Sequence, residues 1–372
     1  MKKMRRTSRK EGTKQLVDLT RTPELLHERN ALENEFKKLA KPNRHELVYV
    51  GLAAGIGIAL DALCIGIPHP TRYGLSAGPI PDFVNKTIHK VLTEDRIDFL
   101  SSAAHVPFDA ANNLKTAIHV EGLNPFMHRL VSLGHDPVLG LLFGTADIQK
   151  GTMTTIDLSG KIVSQVMQDG TPVTIKSLLH SLCLEIVHLL SDVGTPMGLP
   201  MPFMSLGNLL RFKLPGEEGL LVSDVIQSLY FQGYNLNHFI AQGFPGVIAE
   251  LIVRICFFAE LRAKHIDMEP KMRKQKLAML LTITDSLLMG GNILKTAITK
   301  NPAAFNYAQL LRTMPKVIKQ LIWHLKDKKA EKEAYIEAGL KRYVLDNNLE
   351  PLVLQLGVSI TEVEPVLIDL SA

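Results

Sequence analysis

His188 and Asp192 stand four residues apart at the end of an apolar run from Ile175 to Leu190. On a helix that spacing puts an imidazole and a carboxylate on one face, one turn apart, where they can share a divalent cation. Two more clusters of the same chemistry lie upstream, Ala104-His105-Val-Pro-Phe-Asp109 and His128-Arg129 followed by His135-Asp136-Pro137. Six of the thirteen histidines fall between His105 and His188, so the density is local. A single His/Asp pair at this spacing is more often a hydrogen-bonded surface or capping pair. Three clusters separated by apolar sequence predict instead one polar centre assembled from several helices. His105, His128, His135, His188 and Asp192 are the expected ligands, with Asp109 or Asp136 bridging, orienting a ligand or serving as general base. Arg129 can clamp a phosphate or carboxylate bidentately, or can be a surface charge beside His128. Asp136, just before Pro137, also fits a plain helix N-cap, and for that residue alone this is the favoured role. A mixed His/carboxylate set suits Zn, Mn or Fe.

The segment His188-Leu-Leu-Ser-Asp192-Val-Gly-Thr195-Pro196-Met-Gly198-Leu-Pro200-Met-Pro202-Phe203 resembles the HLLxDxxTPxGxPxxxPF signature of bacterial membrane-bound metal-dependent hydrolases. His128-Arg129 with His135 is similar to that family's upstream His-Arg and second His, although seven residues separate the two histidines here. The resemblance covers only the neighbourhoods of 128–136 and 188–203. It implies a helical, membrane-associated protein that binds a divalent metal through these groups and hydrolyses an ester or phosphoester.

The elements that must position these residues read as mainly α, a multi-helix bundle with a small β-hairpin or three-stranded insertion near 152–175. The insertion is marked by Thr154–Leu158, Ile162–Met167 and Pro172–Ile175, separated by Ser159-Gly160 and Asp169-Gly170. Residues 1–46 form a basic arm with a helix over 15–46, and 47–68 a glycine-rich apolar segment. Residues 69–315 form a helical core with the His/Asp centre, and 316–372 a basic helix with an acidic tail. Pro68 to Pro81 reads as loop, Phe83–Leu92 and Asp95–Ala104 as helices. Gly246–Leu261 reads as a buried amphipathic helix with Glu250, Arg254 and Glu260 at spacings that permit pairing within it, and Lys276–Leu294 as a helix broken or kinked at Met289-Gly-Gly-Asn292.

Leu47 to Ile67 carries a single charge, Asp61, and is long enough to span a bilayer. Its Gly51 and Gly55 have the spacing that lets membrane helices pack closely. Asp61 inside an apolar layer is costly unless it finds a partner. The preceding basic residues place the N-terminus in the cytoplasm.

At 372 residues the chain easily buries a core, and 46 % hydrophobic residues with mean hydropathy +0.10 is high for a purely soluble protein. The net charge of +5 concentrates in Lys2, Lys3, Arg5, Arg6, Arg9, Lys10 and Lys14. That arm suits an anionic membrane, or is a solvated tail; nucleic acid is not expected as a partner. Cys64, Cys183 and Cys256 are isolated in apolar sequence, which favours buried reduced thiols and a location in the cytoplasm or on the cytoplasmic face of a membrane. The function expected is hydrolysis of a small-molecule or lipid-like ester or phosphoester by a metal-dependent enzyme. The alternative is a non-enzymatic membrane scaffold using the basic arm and glycine-rich segment.

Overall fold

A computed structural model describes residues 23–71, 74–167, 177–213, 219–266 and 268–347. Residues 1–22 of the basic arm, the third expected strand at Pro172–Ile175 and residues 348–372 of the acidic tail lie outside the described residues. The chain is mainly α-helical, with two small antiparallel hairpins. It divides into two compact units: residues 1–50, 254–283 and 314–372, and residues 51–253 and 284–313.

In the first unit, α1 (Pro23–Leu39) turns Leu25 and Leu32 toward Ile336, Leu340 and Val344 of a helix over Lys328–Asp346. Those three recur every fourth residue, which makes one stripe on that helix. Phe36 and Ala40 pack with Met268, Met272 and Trp323. The next helix, α2 (Arg44–Cys64), opens on a reciprocal cap. The Asn43 side chain accepts from the Glu46 backbone at 2.8 Å, and the Glu46 carboxylate accepts from the Asn43 backbone at 2.6 Å. Glu46 is buried and meets Lys276 Nζ at 2.9 Å.

In the second unit, β1 (His69–Thr71) and β2 (Gly74–Ser76) form a hairpin where the sequence reads as loop. Then come α3 (Pro79–Val91), α4 (Glu94–Ala103), the one-turn α5 (His128–Val131) and α6 (Gly140–Lys150). The expected β insertion is present as β3 (Thr152–Ile156) paired with β4 (Ile162–Val166). Asp157 Oδ1 accepts from the backbones of Ser159 and Lys161, and Gly160 takes φ 83°, so the Ser-Gly turn closes the hairpin as its residues dictate. Thr155 of β3 bridges to Ser132, between His128 and His135. The site-bearing helix is α7 (Leu178–Val193), followed by α8 (Val222–Phe231), α9 (Leu236–Ala263), α10 (Pro270–Thr299), α11 (Tyr307–Ile322) and α12 (Lys328–Asp346).

Three expectations are corrected here. Among the described residues nothing lies against Gly51 or Gly55; a close approach is at Gly57, where a Cβ would lie 2.4 Å from the Leu288 side chain. The Met289-Gly-Gly-Asn292 stretch does not break α10, because Gly291 seats the Ile58 side chain and Asn292 bonds across to Asp61. Cys183 is exposed rather than buried, and Cys64 and Cys256 are only partly covered. Glu250 pairs with Arg312 of α11. Asp61 finds its partner in Lys295, whose Nζ donates to the Asp61 carboxylate at 3.1 Å and to the carbonyls of Asp61 and Ile65.

Candidate metal centre

Six of the expected groups converge in the second unit. Asp109 comes from an irregular segment after α4, His128 and Arg129 from α5, His135 from the turn over Leu133–His135, and His188 and Asp192 from α7. The ligand atoms of Asp109, His135 and His188 all lie within 4.8 Å of one another. Asp109 Oδ1 is 3.4 Å from His135 Nε2 and 3.4 Å from His128 Nε2. Asp192 Oδ2 is 3.6 Å from both His135 Nε2 and His188 Nε2. These separations are long for hydrogen bonds. A cation about 2.1 Å from each of its tetrahedral donors sets neighbouring donors about 3.4 Å apart.

The rings also present the right atoms. His128 Nδ1 lies 3.0 Å from the Pro125 carbonyl, and as donor to that oxygen it leaves Nε2 with a lone pair facing the Asp109 carboxylate. Two acceptors face to face require a cation between them, a proton or a metal. Burial would raise the Asp109 carboxyl, but the His128 and His135 rings beside it outweigh that and hold the group below the ordinary carboxylate range. His135 is fully buried, and that burial pulls its imidazole down to about 4, so the ring is neutral near pH 7 and offers a lone pair. Its two nitrogens, His188 Nε2 and Asp192 Oδ2 find no hydrogen-bond partner among the described residues. Buried polar atoms left so are costly, and a shared cation would satisfy His135 Nε2, His188 Nε2 and Asp192 Oδ2 together.

The remaining site residues fall differently. His105 is exposed and stands outside the converging group. Asp136 takes the capping role: its Oδ1 accepts from the backbones of Val138 and Leu139 at 3.0 and 2.9 Å. Arg129 is neither a surface charge nor a free clamp. Its side chain is largely covered, with Nη2 3.0 Å from Asp192 Oδ1 and Nη1 on Thr195 Oγ1, while Thr195 donates to the Asp192 carbonyl. It therefore holds Asp192 in place. Phe108 stands edge-on to both His135 and His188, with ring centroids 5.2 and 5.4 Å away.

Glu185 was not anticipated. Ser181, Glu185, His188 and Asp192 are four of the five buried polar residues of α7, Ser191 being the fifth, and their spacing puts these four on one face. Polar residues recurring at helical steps in an apolar run were the available signal. Both Glu185 carboxyl oxygens lack a hydrogen-bond partner among the described residues and lie over Gly140 and Gly144 of α6. A Cβ at Gly144 would sit 2.4 Å from Oε2, so the glycine makes room for the acid. Burial first, then Asp147 and Asp192, push the Glu185 carboxyl up to about 9. The unfolded chain ionises this group above its ordinary 4.5 while the folded chain keeps it protonated, so stability is lost progressively from pH 4.5 to 9. Glu185→Gln is expected to flatten that loss, gaining about 3 kcal/mol over the parent at pH 7 and little at pH 4. Thermal unfolding across that pH range checks it, and parallel curves for the two proteins would refute it.

No family model, curated protein or solved structure matches this chain.

Proposed function

We propose that this chain is a membrane-associated, metal-dependent hydrolase of an ester or phosphoester. One observation carries the reading: Asp109, His135 and His188, distant in sequence, bring their ligand atoms within 4.8 Å of one another. His128 and Asp192 flank that trio at 3.4–3.6 Å and complete a donor set suited to Zn, Mn or Fe. When bound, such a cation lowers the pKa of its water toward neutrality and polarises the attacked oxygen. Arg129 and Thr195 fix Asp192, the Pro125 carbonyl fixes the His128 tautomer, and Phe108 walls two of the imidazoles. Asp109 is about half exposed, which leaves the trio open to solvent on that side. The resemblance of His188–Phe203 to the hydrolase signature supports the same assignment. A lipid-like substrate is supported by α7 itself, whose outer face exposes Leu179, Ile186 and Leu190 opposite the His/Asp face.

The test is metal analysis of the purified protein together with hydrolysis of p-nitrophenyl esters and bis(p-nitrophenyl) phosphate. A bound transition metal, with activity lost to a chelator and restored by metal, is the expected outcome. Protein that holds no metal after loading and dialysis would refute the reading.

A further inference from the structure

We infer that α2, α9, α10 and α11, the last continuing to Asp327, cross a bilayer, and that the segment 65–235 carrying the His/Asp centre faces its non-cytoplasmic side. The inference rests on the membrane part of the proposed function and is independent of its chemistry. Pro23–Cys64 and Pro270–Thr299 each contain a window apolar enough to span a membrane. Residues 307–327 are helical throughout, α-helix running into a π-helical stretch, and 21 residues at 1.5 Å each cover about 30 Å.

What these helices expose distinguishes a bilayer from water. Along α9, Ile240, Phe244, Val247, Leu251, Ile255 and Phe258 are all exposed, at steps of three and four that make one continuous row. The same holds for Met314, Val317, Ile318, Leu321 and Ile322 of α11 and for Leu325 beyond it. Several charges point the other way: Arg312 meets Glu250 and Asp285, and Lys295 meets Asp61, while Arg254 and Lys319 reach the exposed face. Rows of apolar side chains outward with these paired charges inward depart from the pattern of a water-soluble helix and suit one surrounded by lipid.

The helix ends then set direction. Lys37, Lys38, Lys41 and Arg44 precede or open α2; Arg262 and Lys264 close α9; Lys271, Arg273 and Lys274 open α10; Lys326, Lys328 and Lys329 follow α11. The opposite ends are poor in such residues: Arg72 alone lies between Cys64 and Phe83, none in the ten residues before α9, and only Lys300 between α10 and α11. Basic ends therefore fall on the start of α2, the end of α9, the start of α10 and the end of α11. That alternation is the one four successive crossings produce when the basic ends stay in the cytoplasm. The segment from 65 to 235 joins the non-basic end of α2 to the non-basic end of α9. The thiols and the basic arm, read alone, had favoured a cytoplasmic-face centre; the ends of the helices argue for the opposite leaflet, with a substrate arriving from that side.

The experiment expresses the full chain in a bacterial membrane and labels right-side-out spheroplasts with a membrane-impermeant maleimide. Lys161→Cys, on the β3–β4 turn, and Lys264→Cys, after α9, are each read above the background of the native cysteines. Lys161→Cys is expected to label equally before and after lysis, and Lys264→Cys only after it. Trypsin added to spheroplasts of the unsubstituted chain provides the second measurement, cutting between residues 69 and 235 before lysis and in the 262–276 region only after it. The reverse pattern, or both positions behaving alike, overturns the assignment. So does release of the chain from membranes by alkaline carbonate, the outcome if the apolar rows are covered by a second copy in solution. None of these readouts depends on metal, so failure of the hydrolase reading would be seen separately.

Discussion

His188→Ala is expected to bring the divalent cation retained after dialysis down to background, while His105→Ala leaves it at the level of the parent. Substituting a residue that merely orients a ligand typically costs metal affinity about 10–100-fold, so removing a ligand should cost at least about 100-fold. His188 belongs to the trio whose donor atoms meet, and its Nε2 has no other partner among the described residues. His105 is four residues from Asp109 yet exposed. The pair of variants therefore separates convergence in space from proximity in sequence. Arg129→Met should fall between them, because Arg129 reaches the centre only by holding Asp192. Competition with a chromophoric chelator measures all three. Equal affinity in the His188 and His105 variants would remove the centre from the trio.

The second large effect is expected at Lys295. Lys295→Met leaves the buried Asp61 carboxylate without its cation, and breaking a buried pair from one side costs about 3–5 kcal/mol. Asn292 and Asn306 still donate to Asp61 at 3.3 and 2.6 Å, so the carboxylate keeps hydrogen bonds but loses its counter-charge. Removing both charges in Asp61→Asn/Lys295→Met should restore most of the lost stability, since the penalty belongs to the orphaned ion. Thermal unfolding in detergent reads the cycle. Additive losses in the double variant would show that the two groups do not act as a pair.

The sequence carried the helical class, the β3–β4 hairpin and the His188/Asp192 face because each depends on short-range periodicity and turn chemistry. It could not tell that His105 turns outward. Residues 104–112 are not helical, so the four-residue step from His105 to Asp109 has no fixed geometric meaning there. Arg129 was readable as a charge next to a histidine, but its anchoring of Asp192 spans 63 residues and depends on the tertiary fold. Glu185 was legible as one more polar step on the His/Asp face of α7, but the room that two glycines of α6 make for its carboxyl depends on the tertiary fold. The continuity of α10 through Gly290 and Gly291 was misread because propensity ignores the neighbour that Gly291 admits.

Phe108 has a further consequence through its seat on Gly134, where a Cβ would stand 2.5 Å from the ring. The aromatic plate is thereby locked edge-on to two imidazoles, whose swing is blocked whether or not anything lies between them. Stripping the protein of metal should then leave its secondary structure and unfolding cooperativity intact, unlike small domains in which the ion itself drives folding. The scaffold holds the pocket's shape, and loading becomes a reversible event on a finished framework.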